Sequence, residues 1–116
     1  MSQAAEVPDR LRAGELVLDR AAHRVTVGGH GVVLALQEFR LLELLMANAD
    51  HVVPSTTILD TLWGKQFTGD PGTVAVHMLR LRKKLDRWHG ANHLRTVRGI
   101  GYVFDTVPDP DSDADH

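Results

Sequence analysis

Apolar positions along this chain recur with two periods, and the change of period divides it. Between Glu15 and Leu34 they come in short β-favouring runs: Leu16 to Leu18, Arg24 to Val27 and Val32 to Leu34. Asp19 to His23 and the glycine-rich Gly28 to Gly31 separate them, and this punctuation predicts three or four short antiparallel strands. From Leu36 to Ala47 the segment LQEFRLLELLMA is apolar almost all round, which predicts a helix covered on two sides and ended by Asn48 and Asp50. A second helix is predicted from Ser55 to Leu62, after Pro54, with Ser55 or Thr56 as its N-cap. Its core stripe is Ile58, Leu59 and Leu62, continued by Trp63.

Gly64 to Gly72 reads as a loop on its glycine and proline content. The third helix, Thr73 to Trp88, has the clearest period. At roughly 100° per residue, Val74, Met78, Leu81, Leu85 and Trp88 fall on one narrow core stripe. Thr73, Val76, Arg80, Lys83, Lys84 and Arg87 lie on the opposite side. After a break at HGANH, the runs LRTVR and YVF flank Gly99-Ile100-Gly101, which predicts a β-hairpin whose glycines permit positive φ. Residues 1–14 carry no period and are expected to be a disordered lead or linker. Residues 105–116, low in complexity and acidic, are expected to be a disordered tail. One ordered domain, 15–104, lies between, and no internal repeat is evident.

With 116 residues and 43% apolar content, the chain supports a single domain of modest core. No apolar run is long enough to span a membrane, and no basic segment leads into an apolar one as in a secretory signal. Zero cysteines excludes disulfides and thiolate metal sites and fits a reducing cytoplasm. Charge changes the picture more. The net −2 hides a balance of +6 from His77 to Phe104, against −3 over 1–76 and −5 over 105–116. Arg80, Arg82, Lys83, Lys84, Arg87, Arg95 and Arg98 face a single acidic residue, Asp86. Positive charge gathered on one helix and the following turn is a surface for a polyanion, most directly nucleic acid.

Other chemistries find little support. Of the three serines, Ser2 and Ser112 lie in the ends and Ser55 at a helix start, and Gly-Ile-Gly is too short for a phosphate-binding loop. His89 and His93 have the i, i+4 spacing of a helical metal pair, but Gly90 and Asn92 argue against a helix there. No cysteine or nearby carboxylate pair completes a site. The expectation is a non-enzyme with no cofactor and no metal.

The strings LALQEFRLLELL, VVPSTTILDTLWG, GDPGTVAVHMLRLRKKL and TVRGIGYVF, in that order and spacing, resemble the OmpR/PhoB family, the C-terminal DNA-binding domains of bacterial two-component response regulators. The resemblance covers residues 15–104. It implies an α+β winged helix-turn-helix, with an N-terminal antiparallel sheet, a three-helix core and a C-terminal β-hairpin wing. It further implies a third helix in the major groove of double-stranded DNA and a wing in the adjacent minor groove. Thr73, Val76, His77, Arg80 and Lys83 or Lys84 fall where the family contacts bases and phosphates, and Thr96 and Arg98 on its wing positions. The segment Trp63 to Asp70, including Lys65, Gln66, Phe67, Thr68 and Asp70, corresponds to the loop members use to touch RNA polymerase. Members usually bind direct repeats as a head-to-tail pair, so a monomer in isolation and a dimer on DNA are expected.

The chain departs from the family where caps and specificity are set. Ala35 and Leu36 replace a Thr-Pro pair at the start of the first helix, and Pro54 takes the Ser/Thr cap position of the second. Gly72 stands where a basic residue is common, Ala75 replaces a common Asp, and Leu79 sits where many members carry Arg. No receiver domain precedes the match, which reads as either an excised effector domain or a stand-alone regulator.

Several residues keep two readings at this stage. Arg80 can fork onto guanine O6 and N7, or be a solvated helix arginine. His77 flanks the core stripe, so it can pack or contact DNA, and Leu79 can meet a thymine methyl or simply be exposed. Lys83, Lys84 and Arg87 can hold phosphates, and Arg82 can do this or pack. Thr96 is a strand residue or a phosphate donor. Arg98 can enter a narrow A·T-rich minor groove, or pair across the hairpin with an acid. Trp63 reads as core, and Phe67 as a polymerase contact or a residue folded onto the second helix. The aspartate-rich tail can compete with DNA for the basic wing or serve only solubility. The reading reached is sequence-specific DNA binding. The alternative is a winged helix that docks on RNA polymerase or a receiver domain.

Overall fold

A computed structural model describes residues 9–64, 72–88 and 90–108. Strands β1 (Arg10–Ala13), β2 (Leu16–Asp19), β3 (Arg24–Val27) and β4 (His30–Val32) form an antiparallel sheet in chain order. Alternation sets its faces. Leu11, Leu18, Val25 and Val32 stand opposite one another in register, as do Ala13, Leu16 and Val27, so one face turns inward as a continuous apolar layer. The first strand lies inside the segment expected to be a disordered lead. Arg10-Leu11-Arg12-Ala13 is itself a period-two pattern, and its apolar half pairs with β2. The fourth strand starts two residues earlier than expected. Gly28 and Gly29 adopt positive φ and turn the chain tightly after Val27, so pairing resumes at His30 and Val33 is left 88% exposed.

Helix α1 spans Leu36–Ala47, as its composition predicts, and buries Phe39, Leu41, Leu42, Leu45 and Met46. It lies between the sheet and the other two helices, which explains an apolar surface wider than one stripe. Ala35, at its N-cap, has no side chain to offer the helix end, but its own N–H donates to the Glu38 carboxylate at 2.8 Å. That is half of a capping box, closed from inside the helix.

A two-residue strand, β5 (Val53–Pro54), leads into α2 (Ser55–Trp63), followed in the described structure by α3 (Gly72–Asp86). Pro54 is the N-cap of α2, not Ser55 or Thr56, and makes no side-chain cap bond. The Ser55 N–H instead donates to Ile100 O at 3.0 Å. Gly72 belongs to α3 rather than to the preceding loop. The helix ends at Asp86, two residues short of expectation, and the N–H groups of Trp88 and Gly90 both turn back to Leu85 O. Trp88 is half-buried beyond the helix end and stacks on His30 of β4, with centroids 3.9 Å apart.

A short 3-10 turn (Ala91–His93) then leads into β6 (Leu94–Val97) and β7 (Gly101–Phe104). The second sheet has the order β5-β7-β6, so the C-terminal hairpin is held on both sides of its last strand. Residues 105 and 106 are also tied down, against the expectation of disorder from 105. Asp105 N–H donates to His93 O at 2.8 Å, and Thr106 donates through its N–H and hydroxyl to the Asp50 carboxylate at 3.0 and 2.9 Å. The fold is the α+β winged helix-turn-helix expected from the sequence. No helix among the described residues is long and apolar enough to cross a membrane.

Candidate nucleic-acid interface

The core side of α3 is Val74, Met78, Leu81 and Leu85, each 1% exposed or less. The opposite side follows from the helical repeat: Val76, Leu79, Arg80 and Lys83 are exposed there, with Arg87 in the turn just beyond. Among the described residues, no carboxylate pairs with Arg80 or Lys83. Arg87 has its guanidinium carbon 5.5 Å from the Trp88 ring centroid.

The two margins of this face are committed to the fold. On one side His77 is half-buried, with Nδ1 2.8 Å from Thr73 O and its ring edge-on to Trp63 at 5.0 Å. About two turns further, Lys84 Nζ lies 2.6 Å from Glu38 Oε1. The Glu38 carboxyl is 3% exposed. Its burial acts to raise its pKa, yet the hydrogen bonds from Lys84 and the Ala35 N–H and the charges of Lys84 and His77 hold it below the usual value. Lys84 is thus anchored inward, unlike Lys83 beside it.

On the other margin Arg82 is half-buried and reaches the hairpin. Its Nη2 donates to Thr96 Oγ1 at 2.8 Å and to Leu94 O at 3.4 Å. Burial pulls the Arg82 pKa below its ordinary value, with Tyr102 acting the other way, but a guanidinium stays charged throughout the physiological range. Arg82 and Thr96 therefore join α3 to β6. Arg82 is packed against the hairpin and Thr96 lies in β6, its hydroxyl oxygen accepting from Arg82 and its proton remaining free to donate.

The turn of the hairpin is Arg98-Gly99-Ile100. Gly99 has φ of +80°, a region open to glycine at little cost, and Ile100 N–H closes the turn onto Val97 O at 2.9 Å. Arg98 is exposed at the tip and has no acidic partner among the described residues. The cross-hairpin partnership considered for it is instead made by Arg95, at the base, which grips Asp105 through two bonds of 2.8 and 3.1 Å. Gly101 is needed for close approach: a Cβ there would run into the carbonyl of Val53 and lie 2.7 Å from Pro54 Cα.

The structure thus gathers Val76, Arg80 and Lys83 on one exposed helix face, with Arg87 at its end and Arg98 on a projecting turn. It turns His77, Lys84, Arg82 and Thr96 toward neighbouring elements and leaves Thr73 half-buried. Lys65, Gln66, Phe67, Thr68 and Asp70 lie outside the described residues, as does His89. His93 is buried, stacked on Phe104 with its Nδ1 donating to Asp105 O at 2.7 Å. No group of ligand side chains able to hold a metal ion occurs among the described residues. The sequence reading missed Ile100, which is 56% exposed beside Arg98. The sequence places it in the hairpin turn only as the residue between two glycines, with no role of its own.

Residues 29–104 match the family described as transcriptional regulatory protein, C terminal. The chain belongs to this family, the OmpR/PhoB-type effector domains. It is 42% identical over 98 residues to the sensory transduction protein RegX3 of Mycobacterium leprae, a match covering 83% of this chain and 49% of the relative. It is 43% identical over 96 residues to the phosphate regulon transcriptional regulatory protein PhoB of Rhizobium meliloti, covering 83% and 42%. The chain spans about half the length of these relatives or less. Among solved structures, the RstA DNA-binding domain of Klebsiella pneumoniae in complex with the RstA box superposes with a TM-score of 0.77 at 30% identity, covering 86% of this chain and all of that one. The family is one of transcription-regulator domains, not of enzymes.

Proposed function

We propose that this OmpR/PhoB-type domain binds double-stranded DNA in a sequence-specific manner as the effector part of a two-component transcriptional regulator. Helix α3 enters the major groove, Arg80 reads a base edge, and Lys83 and Arg87 hold phosphates. Arg98 enters the adjacent minor groove. The observation that carries the reading is the disposition of cations. Those at the margins of α3 are spent on the fold, while Arg80 and Lys83 on its outward face, and Arg98 on the turn, have no carboxylate partner among the described residues. Cations kept clear of internal partners are what phosphate and base contacts require.

The family resemblance implies the setting. A receiver domain would precede this one in a longer chain, two copies would sit head to tail on direct repeats, and RNA polymerase would be met through the segment following α2. This work would take place in the cytoplasm. A winged helix serving only to dock on polymerase or a receiver would have no use for unpaired cations on both α3 and the wing. The deciding experiment is selection of bound fragments from random duplex DNA. Enrichment of a defined site supports the proposal, and retention of all fragments alike at physiological salt overturns it.

A further inference from the structure

The outward face of α3 is not uniformly cationic. Leu79 is 54% exposed and Val76 46% exposed, and Ala75 is exposed as well. Leu79 is an i, i+3 neighbour of Val76 and an i, i+4 neighbour of Ala75, so the three make an apolar ridge on this face, with Arg80 and Lys83 one turn beyond Val76 and Leu79. No element among the described residues covers it. A leucine at this place offers neither a donor nor an acceptor to whatever meets the helix.

We infer that Leu79 determines specificity by packing on the C5-methyl of a thymine in the major groove, beside the base pair met by Arg80. The inference rests on the DNA-binding reading of α3 and names one base within it. Thymine is the base whose major-groove edge carries an apolar group, whereas cytosine presents an amino donor and guanine two acceptors. A leucine pressed against either of those strips water from a polar edge and returns no hydrogen bond, which is unfavourable. Leu79 therefore selects twice, by covering a methyl and by penalising the alternatives. The cations one turn away supply the occupant: Arg80 and Lys83 bring this ridge against a polyanion rather than against an apolar protein surface.

Replacing thymine by deoxyuridine removes that methyl and leaves pairing intact, so the contact can be tested atom by atom. The full chain is used to select its site from random duplex DNA, and each thymine of the enriched site is then replaced in turn by deoxyuridine. At one position wild type should lose about threefold to fivefold in affinity, the worth of one buried methyl. The Leu79→Ala variant should bind the thymine and deoxyuridine duplexes alike at that position. Because Leu79 is outside the core, this variant should melt at the wild-type temperature and keep its preference at the pair read by Arg80. The inference is overturned if the enriched site has no thymine whose methyl matters, or if Leu79→Ala stays as methyl-sensitive as wild type. Enrichment of no sequence at all overturns the underlying DNA reading along with it.

Discussion

Lys84 and Glu38 form an ion pair 2.6 Å long across 46 residues of sequence, joining the last turn of α3 to the first turn of α1. The carboxylate is buried and also holds the Ala35 N–H, so it organises a helix start and a helix packing at once. Lys84→Ala leaves that carboxylate with one neutral donor and should cost about 1–3 kcal/mol of stability. Glu38→Gln should act in the same direction and should also flatten the acid dependence. The folded pKa of Glu38 lies below its unfolded value, so its contribution is present above the unfolded value and is lost as pH falls through the folded one. Urea midpoints measured from neutral pH down to roughly pH 3 would show this difference. Equal acid sensitivity in Glu38→Gln and wild type would refute the coupling.

Thr96→Val removes the acceptor of Arg82 while keeping the side-chain shape. The half-buried guanidinium then loses its 2.8 Å partner, which should cost about 1 kcal/mol, or a melting shift of about 4–8 °C for a domain of this size. A thermal melt decides it. No shift would mean that Leu94 O and solvent satisfy Arg82 unaided.

Arg80 and Lys83 should separate base reading from phosphate anchoring. Arg80→Ala should cost about 1–3 kcal/mol on the selected site and relax preference at one base pair. Lys83→Ala should weaken all duplexes alike and lower the slope of log affinity against log salt by about 0.9. The opposite pattern in a salt titration would exchange the two roles.

Arg98→Ala should leave the melting temperature unchanged, since the turn is closed by backbone bonds. Its effect should appear only on DNA, as weaker binding that is most marked where the sequence flanking the major-groove site is A·T-rich. Equal losses on A·T- and G·C-rich flanks would place Arg98 on a phosphate.

The two glycines of the hairpin should differ. Gly99→Ala meets no neighbour but must hold a positive φ, a cost of about 1–2 kcal/mol. Gly101→Ala collides with the Val53 carbonyl and must push β5 off β7, so it should be the more damaging. Comparing denaturation of the two variants tests whether β5–β7 pairing bears on stability.

Much of this fold was legible from local pattern. The α1 boundaries follow from composition, and the stripe Val74, Met78, Leu81, Leu85 follows from period alone. What escaped depends on partners distant in sequence. The two-residue strand Val53–Pro54 is defined only by Tyr102 and Gly101 opposite it. The first strand was obscured because its outward residues, Arg10 and Arg12, sit in a stretch that otherwise lacks period. Charge was the least reliable guide at the level of single residues. It located the basic face, but could not distinguish Lys83 from Lys84, because Glu38 lies on another helix. In the same way, burial of Arg82 and the capture of Arg95 by Asp105 are invisible until the hairpin is placed.

The bond from Ser55 N–H to Ile100 O, with the pairing of β5 to β7 behind it, has a consequence for what this domain can measure. The start of α2 and the tip of the hairpin share backbone bonds, and Arg82 ties α3 to the same hairpin through Thr96. The side chains proposed to meet the two grooves are therefore mounted on one frame, like the jaws of a gauge locked at a set opening. On the proposed binding mode such a frame would test the local width and pitch of a duplex before any base is read, and a helix wound too loosely or too tightly would engage one jaw and miss the other.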